Sequence, residues 1–129
     1  MLPAENSSQA RRRRGQAAED LAALHLKRQG LKLIARNVRC KAGELDLVCL
    51  EGALLVIVEV RQRTALHYGG ALGSVAGRKQ LSIIRATRFL LRSSPGLRRR
   101  RVRFDVVGLQ GPLEDSPQLT WIKDAFRAT

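Results

Sequence analysis

Aromatic residues are scarce in this chain: Tyr68, Phe89, Phe104, Trp121 and Phe126 make up 4% of its 129 residues. A platform that stacks the bases of a single strand is therefore not expected, and contact with a polyanion should rest on phosphates and shape. Cysteine is rarer still. Cys40 and Cys49 form no C-x-x-C and have no matching histidine pair, which argues against zinc and makes reduced thiols in a reducing compartment the expectation. His25 and His67 are isolated, so no Ser-His-Asp or Cys-His set can be drawn. No apolar run approaches membrane-spanning length and the opening MLPAENSSQ carries no apolar segment, so no membrane partner and a cytoplasmic location are expected. Acids are few as well, 11 against 24 basic residues, for a net charge of +13. An excess of that size favours polyanions, nucleic acid above all, over a merely solvated basic face or a membrane surface.

What remains is enough for one core, since 44% of the residues are hydrophobic, and one small α/β or α+β domain is the natural expectation at this length. Residues 1–14 read as a mobile basic tail ending in Arg11-Arg12-Arg13-Arg14, because a block of like charge repels itself. Residues 15–129 then form the domain. A helical pattern covers Gln16 to Gln29, with Ala17, Ala18, Leu21, Ala22, Leu24 and Leu26 forming a wide apolar arc and Gly30 the stop. A first strand is predicted over Leu31 to Val38, with Arg36 and Arg39 near its end. The stretch Gln62 to Gly73, holding His67, Tyr68 and Gly69-Gly70, reads as a loop without a P-loop signature. Ser74 is a candidate N-cap for a second helix reaching about Arg92, on which Arg78, Arg85, Arg88 and Arg92 line up as a basic stripe. After a break at Ser93 to Gly96 and a second arginine block, Arg98 to Arg101, a strand is predicted from Val102 to Leu109. A last edge strand, Leu119 to Ile122, and a short terminal turn at Asp124 to Arg127 follow.

The centre of the chain is GELDLVCLEGALLVIVEVRQR, Gly43 to Arg63, two predicted strands either side of Glu51-Gly52. Side chains alternate along a strand, which groups Glu44, Asp46, Val48 and Leu50 in the first and Leu55, Ile57, Glu59 and Arg61 in the second. Paired as a hairpin, the strands bring Asp46 and Glu59 to neighbouring positions on one side. Two carboxylates on a mostly apolar face repel each other and lose hydration, a cost that a cation offsets. Arg61 is one such charge, and Mg²⁺, which favours carboxylates completed by water and phosphate oxygens, is another. A structural salt bridge to an arginine is the alternative. Helical spacing places Glu19 at the margin of the first helix's apolar arc, from where it can lean toward the two acids or simply sit at the helix edge.

The order Gly15…Glu19, Arg36-Asn37-Val38-Arg39, Gly43-Glu44-Leu45-Asp46-Leu47-Val48, Val58-Glu59-Val60-Arg61-Gln62-Arg63, Tyr68-Gly69, Val75…Lys79-Gln80, Arg103-Phe104-Asp105-Val106-Val107 and Ala125-Phe126 resembles the YraN-like family of small bacterial proteins. That family is similar to the restriction-endonuclease-like fold and to archaeal-type Holliday junction resolvases. The resemblance implies an α/β domain with a central mixed β-sheet flanked by helices, Asp46 and Glu59 as ligands of Mg²⁺ or Mn²⁺, and Glu19 as an accessory acid. Arg61 stands where the motif has lysine; it keeps the charge but differs in shape, reach and proton affinity. The implied reaction is metal-assisted hydrolysis of phosphodiester bonds in DNA, branched DNA included. Arg36, Arg39, Arg63, Arg78, Lys79 and Arg85 would hold the backbone without reading bases. Junction cutting generally needs two sites, which makes a homodimer an option. A DNA-binding module with weak or lost cleavage, and a basic RNA-associated structural protein, are the other readings. Asp105 is open between a site role and a salt bridge.

Overall fold

The computed structural model describes residues 7–63 and 75–128. They form an α/β domain: α1 (Ser7–Arg28), β1 (Lys32–Cys40), β2 (Gly43–Glu51), β3 (Leu54–Arg63), α2 (Gly77–Ser93), a 3-10 turn at Pro95–Leu97, β4 (Val102–Gln110) and β5 (Gln118–Phe126). The five strands make one sheet in chain order. It is mixed, because β3 and β4 run parallel while the other neighbours are antiparallel. This agrees with the restriction-endonuclease-like expectation. The parallel step spans the connection that contains α2, as a crossover requires.

The sheet is buried on both faces because its central strands are apolar on both. Leu47, Cys49, Val56, Val58 and Val107 pack against Ala22, Ala23 and Leu26 of α1. Leu45, Val48, Leu55, Ile57, Phe104 and Val106 pack against Ile83, Ile84 and Ala86 of α2. The small alanines of α1 let that helix lie close on the sheet, whereas Leu24, expected in its apolar arc, is exposed.

Several boundaries differ from the sequence reading. The helix α1 begins at Ser7, so Arg11 to Arg14 are helical and exposed rather than part of a tail. Arginine is a good helix former, and a helix anchored by Ala18, Ala22 and Leu26 can extend into solvent without further apolar residues. The helix α2 begins at Gly77, with Ala76 rather than Ser74 at the cap and no side-chain cap bond; Gln80 instead donates its side-chain amide to the Val75 carbonyl at 2.8 Å. The expected loop residues His67, Tyr68, Gly69 and Gly70, and Ser74, lie outside the described residues. The expected turn at Asp124 to Arg127 is instead the end of β5 up to Phe126. Asp124, at φ 55°, forms a bulge there, its N–H donating to the Asp105 carboxylate at 2.9 Å. Phe126 then regains its place opposite Phe104, ring on ring at 5.0 Å.

Candidate functional site

The β2–β3 ladder runs from Glu51↔Leu54 to Leu47↔Val58 and ends there. Beyond it β2 stays with β1 to Cys40↔Gly43, and β3 stays with β4 to Arg63↔Gln110. The middle of the sheet therefore opens as a fork. Asp46 and Glu59 are the pair that would come next in the register. Instead of a ladder bond, the Asp46 carboxylate accepts the Val60 N–H at 2.9 Å.

The strict alternation expected for β2 fails at this point. Leu45 packs on the α2 face together with Val48, not on the α1 face with Leu47. The disturbance is shared by β1, where Asn37, facing the Asp46 position, takes φ 52°. Asparagine tolerates that left-handed conformation better than most residues. Its side-chain amide acts on Glu19, favouring that acid's charged form.

Glu19, Glu44 and Asp46 each place a carboxylate oxygen within 4.8 Å of the others. Glu19 comes from α1 and the other two from the start of β2, so the cluster joins a helix to the fork. Glu44 shares the strand face of Asp46 in sequence, but its membership of the cluster depends on how α1 crosses the sheet. Glu59 is buried and meets the ammonium of Lys79, from the first turn of α2, at 3.5 Å. Burial, followed by a hydrogen bond and repulsion from Glu59, pushes the Asp46 carboxyl up to about 8. Burial and the charge on Asp46 raise Glu19 as well, against hydrogen bonds from Arg36 and Asn37 that lower it. Burial is the leading cause of both shifts, and repulsion between neighbouring carboxylates adds to it.

A cleft of about 630 Å³ lies over the fork, with Glu19, Asp46 and Glu59 in its lining. Its other walls carry five cations: Arg11 and Arg14 of α1, Arg61 and Arg63 of β3, and Lys79. Arg63 also donates to the Gln62 carbonyl at 3.0 Å. The arginine run at the head of α1, a tail by the sequence reading, is therefore part of the site's surroundings.

The remaining cations assigned to a nucleic acid fall in different places. Arg36 is tied to α1, donating to Asp20 at 2.7 Å and to Glu19 at 3.4 Å. Arg39 pairs with Glu44 at 3.2 Å while staying largely exposed. Arg78 and Arg85 are exposed on α2 outside the cleft. Asp105 resolves toward the salt bridge. Fully buried, it takes Arg103 through both oxygens at 2.8 and 2.9 Å, and the Trp121 indole N–H at 2.9 Å. Arg103 reaches on to Glu51 at 2.9 Å. Together these contacts bind β2, β4 and β5 into one unit.

The sequence pattern of the family described as "Uncharacterised protein family UPF0102" matches residues 18–109. A UPF0102 protein of Pseudomonas entomophila (strain L48) is 53% identical over 112 residues, 87% of this chain and 91% of the relative. One from Pseudomonas putida (strain GB-1) is 49% identical over 125 residues, covering 97% and 98%. One from Stutzerimonas stutzeri (strain A1501) is 44% identical over 114 residues, covering 88% and 94%.

Proposed function

The chain belongs to the UPF0102 family, the YraN-like proteins that its motifs resemble, and from that premise we propose that it is a metal-dependent endonuclease hydrolysing phosphodiester bonds in DNA, branched DNA included. The observation that carries this reading is the gathering of Glu19, Glu44 and Asp46 where β2 and β3 part, with Glu59 beside Asp46 but outside that group of three, in a cleft whose other walls carry cations. An all-oxygen donor set of this kind suits Mg²⁺ or Mn²⁺. The upward shift of Asp46, caused first by burial and then by Glu59, is one that a bound divalent cation would reverse. Asp46, with Glu19, Glu44 or Glu59, would hold the ion. When bound, it supplies Lewis-acid chemistry: neutralisation of charge at the scissile phosphate and activation of water.

The protein's own groups have separable tasks. The Val60 N–H fixes the rotation of the Asp46 carboxylate. Lys79 neutralises Glu59 from the α2 side and presents an ammonium to the cleft. Arg61, always protonated, acts as a phosphate clamp and not as a proton carrier. Arg11, Arg14 and Arg63 extend the positive surface along which a backbone would lie.

Purified protein with Mg²⁺ or Mn²⁺ is expected to nick a branched DNA substrate, with Glu59→Gln abolishing cleavage and leaving binding in place. A second reading, a DNA-binding protein of nuclease fold with little or no cleavage, is favoured by Arg61 at the motif lysine's position. Binding without nicking under either metal establishes it. Tighter binding to structured RNA than to DNA at matched salt overturns both.

A further inference from the structure

A second groove, of about 720 Å³, lies between the exposed face of α2 and the turn that joins β1 to β2. Arg85, Arg88 and Arg92 line it from the helix, Arg39 from the end of β1 and Lys41 from the turn, and among the described residues no acidic side chain takes part. Phe89 lies among these cations and is 49% exposed, the most of any large apolar residue among those described. The Ser82 hydroxyl donates to the Ala42 carbonyl at 2.7 Å and ties the turn to the helix, which sets the width of the groove.

The exposed phenyl ring shares this groove with five guanidinium and ammonium groups as well as with Cys40 and Ala42. That combination fits a ligand with a flat π face attached to a repeating anion. We propose that this groove binds an unpaired nucleotide of a nucleic acid strand, its base stacked on Phe89 and its flanking phosphates held by Arg85, Arg88 and Arg92 with Arg39 and Lys41 opposite. Aromatic scarcity along the chain predicts against a multi-base platform, and a single ring is enough for one base. Arg39, which lines the groove, pairs with Glu44 of the acidic cluster, so the two sites adjoin. Along α2, Lys79 of the cleft and Phe89 of the groove are about 15 Å apart. A substrate with an unpaired segment near the cut would reach both. The inference rests on the nucleic-acid part of the function proposed above and is independent of cleavage.

The test uses the full chain carrying Glu59→Gln, in EDTA, with a labelled oligothymidylate and a duplex of equal length at fixed salt. Phe89→Ala and Phe89→Leu are each expected to weaken single-strand binding about tenfold, to leave duplex binding within about twofold, and to keep the thermal midpoint of the parent. Phe89→Trp should preserve or tighten single-strand binding. Equal losses on both substrates, no loss, or retention by Phe89→Leu overturns stacking. Displacement of the oligonucleotide by polyglutamate as readily as by unlabelled strand overturns the nucleic-acid assignment. Because metal and catalysis are absent from the assay, a chain that never cuts DNA still gives the expected pattern, and a failure at Phe89 leaves the cleft reading intact.

Discussion

The Asp46 carboxylate accepts the Val60 N–H at 2.9 Å across the gap where their two strands separate. A side chain thus takes over from the ladder at the point where the ladder stops. The bond holds the acid rigidly, yet it does not offset its burial beside Glu59, and the carboxyl is left at about 8.

A raised folded-state value means that the native protein keeps a proton which the unfolded chain gives up near pH 4. The associated stability is fully present below that range and is lost as pH rises through about 8. The metal-free protein is therefore expected to melt at progressively lower temperature between about pH 4 and about pH 8 and to level off above that. Asp46→Asn, which never ionises, should flatten this dependence, gaining roughly 1–3 kcal/mol on the parent at pH 9. Mg²⁺ or Mn²⁺ should stabilise the parent more strongly at pH 9 than at pH 6, because ion and proton compete for the same oxygens. Melting curves at several pH values, with and without metal, check this; parallel curves for parent and variant would rule it out.

Gly43, the first residue of β2, sits under α2. A Cβ there would run into the Ser82 hydroxyl, which is held by its bond to the Ala42 carbonyl. Gly43→Ala is expected to destabilise the protein by about 1–3 kcal/mol through overpacking. Ser82→Ala removes the obstructing oxygen, so the double variant should recover part of the loss. Urea unfolding of the four proteins in a double-mutant cycle measures that coupling. Strict additivity would show that the close approach carries no strain.

Asp105 is expected to matter for folding and not for chemistry. Its substitution by Asn removes one of the two carboxylates that Arg103 pairs with, leaving Glu51 as the other, and weakens the tie to the β5 bulge. Breaking a buried pair from one side costs about 3 kcal/mol. Asp105→Asn should lower the urea midpoint accordingly. At a temperature where it remains folded, its DNA affinity should match the parent's. Reduced affinity in a fully folded variant would return Asp105 to the site.

The acid pair was legible in the sequence because strand alternation and a tight turn fix a register, and Asp46 and Glu59 follow from it without knowledge of the third dimension. The mixed sheet and its flanking helices were legible through the family resemblance. What escaped depends on how elements meet. Glu44 joins the cluster only because α1 brings Glu19 across the sheet end. Lys79 reaches Glu59 only because the connection after β3 returns α2 over that face. The fork breaks the strict alternation on which the hairpin reading rests, so Leu45 falls on the α2 face and not beside Leu47. Arg11 to Arg14 escape for a different reason: a helix extending past its sheet has no apolar periodicity to reveal it.

The helical placement of that run separates two groups of arginines that composition cannot distinguish. Arg11 and Arg14 line the cleft on an exposed helical turn, whereas Arg36 is occupied by Glu19 and Asp20. Every phosphate that a protein no longer neutralises makes log affinity for duplex DNA less steep in log salt by about 0.9. The double variant Arg11→Gln, Arg14→Gln should therefore bind DNA more weakly at low salt, with a slope smaller by about 2, and keep its thermal midpoint. Arg36→Gln should behave in the opposite way, losing about 1 kcal/mol or less of stability, since its pairs are partly exposed, with an unchanged slope. Titrations at several salt concentrations distinguish the two. If Arg36→Gln changes the slope and the helix-head pair does not, the backbone path runs along β1 and not over the head of α1.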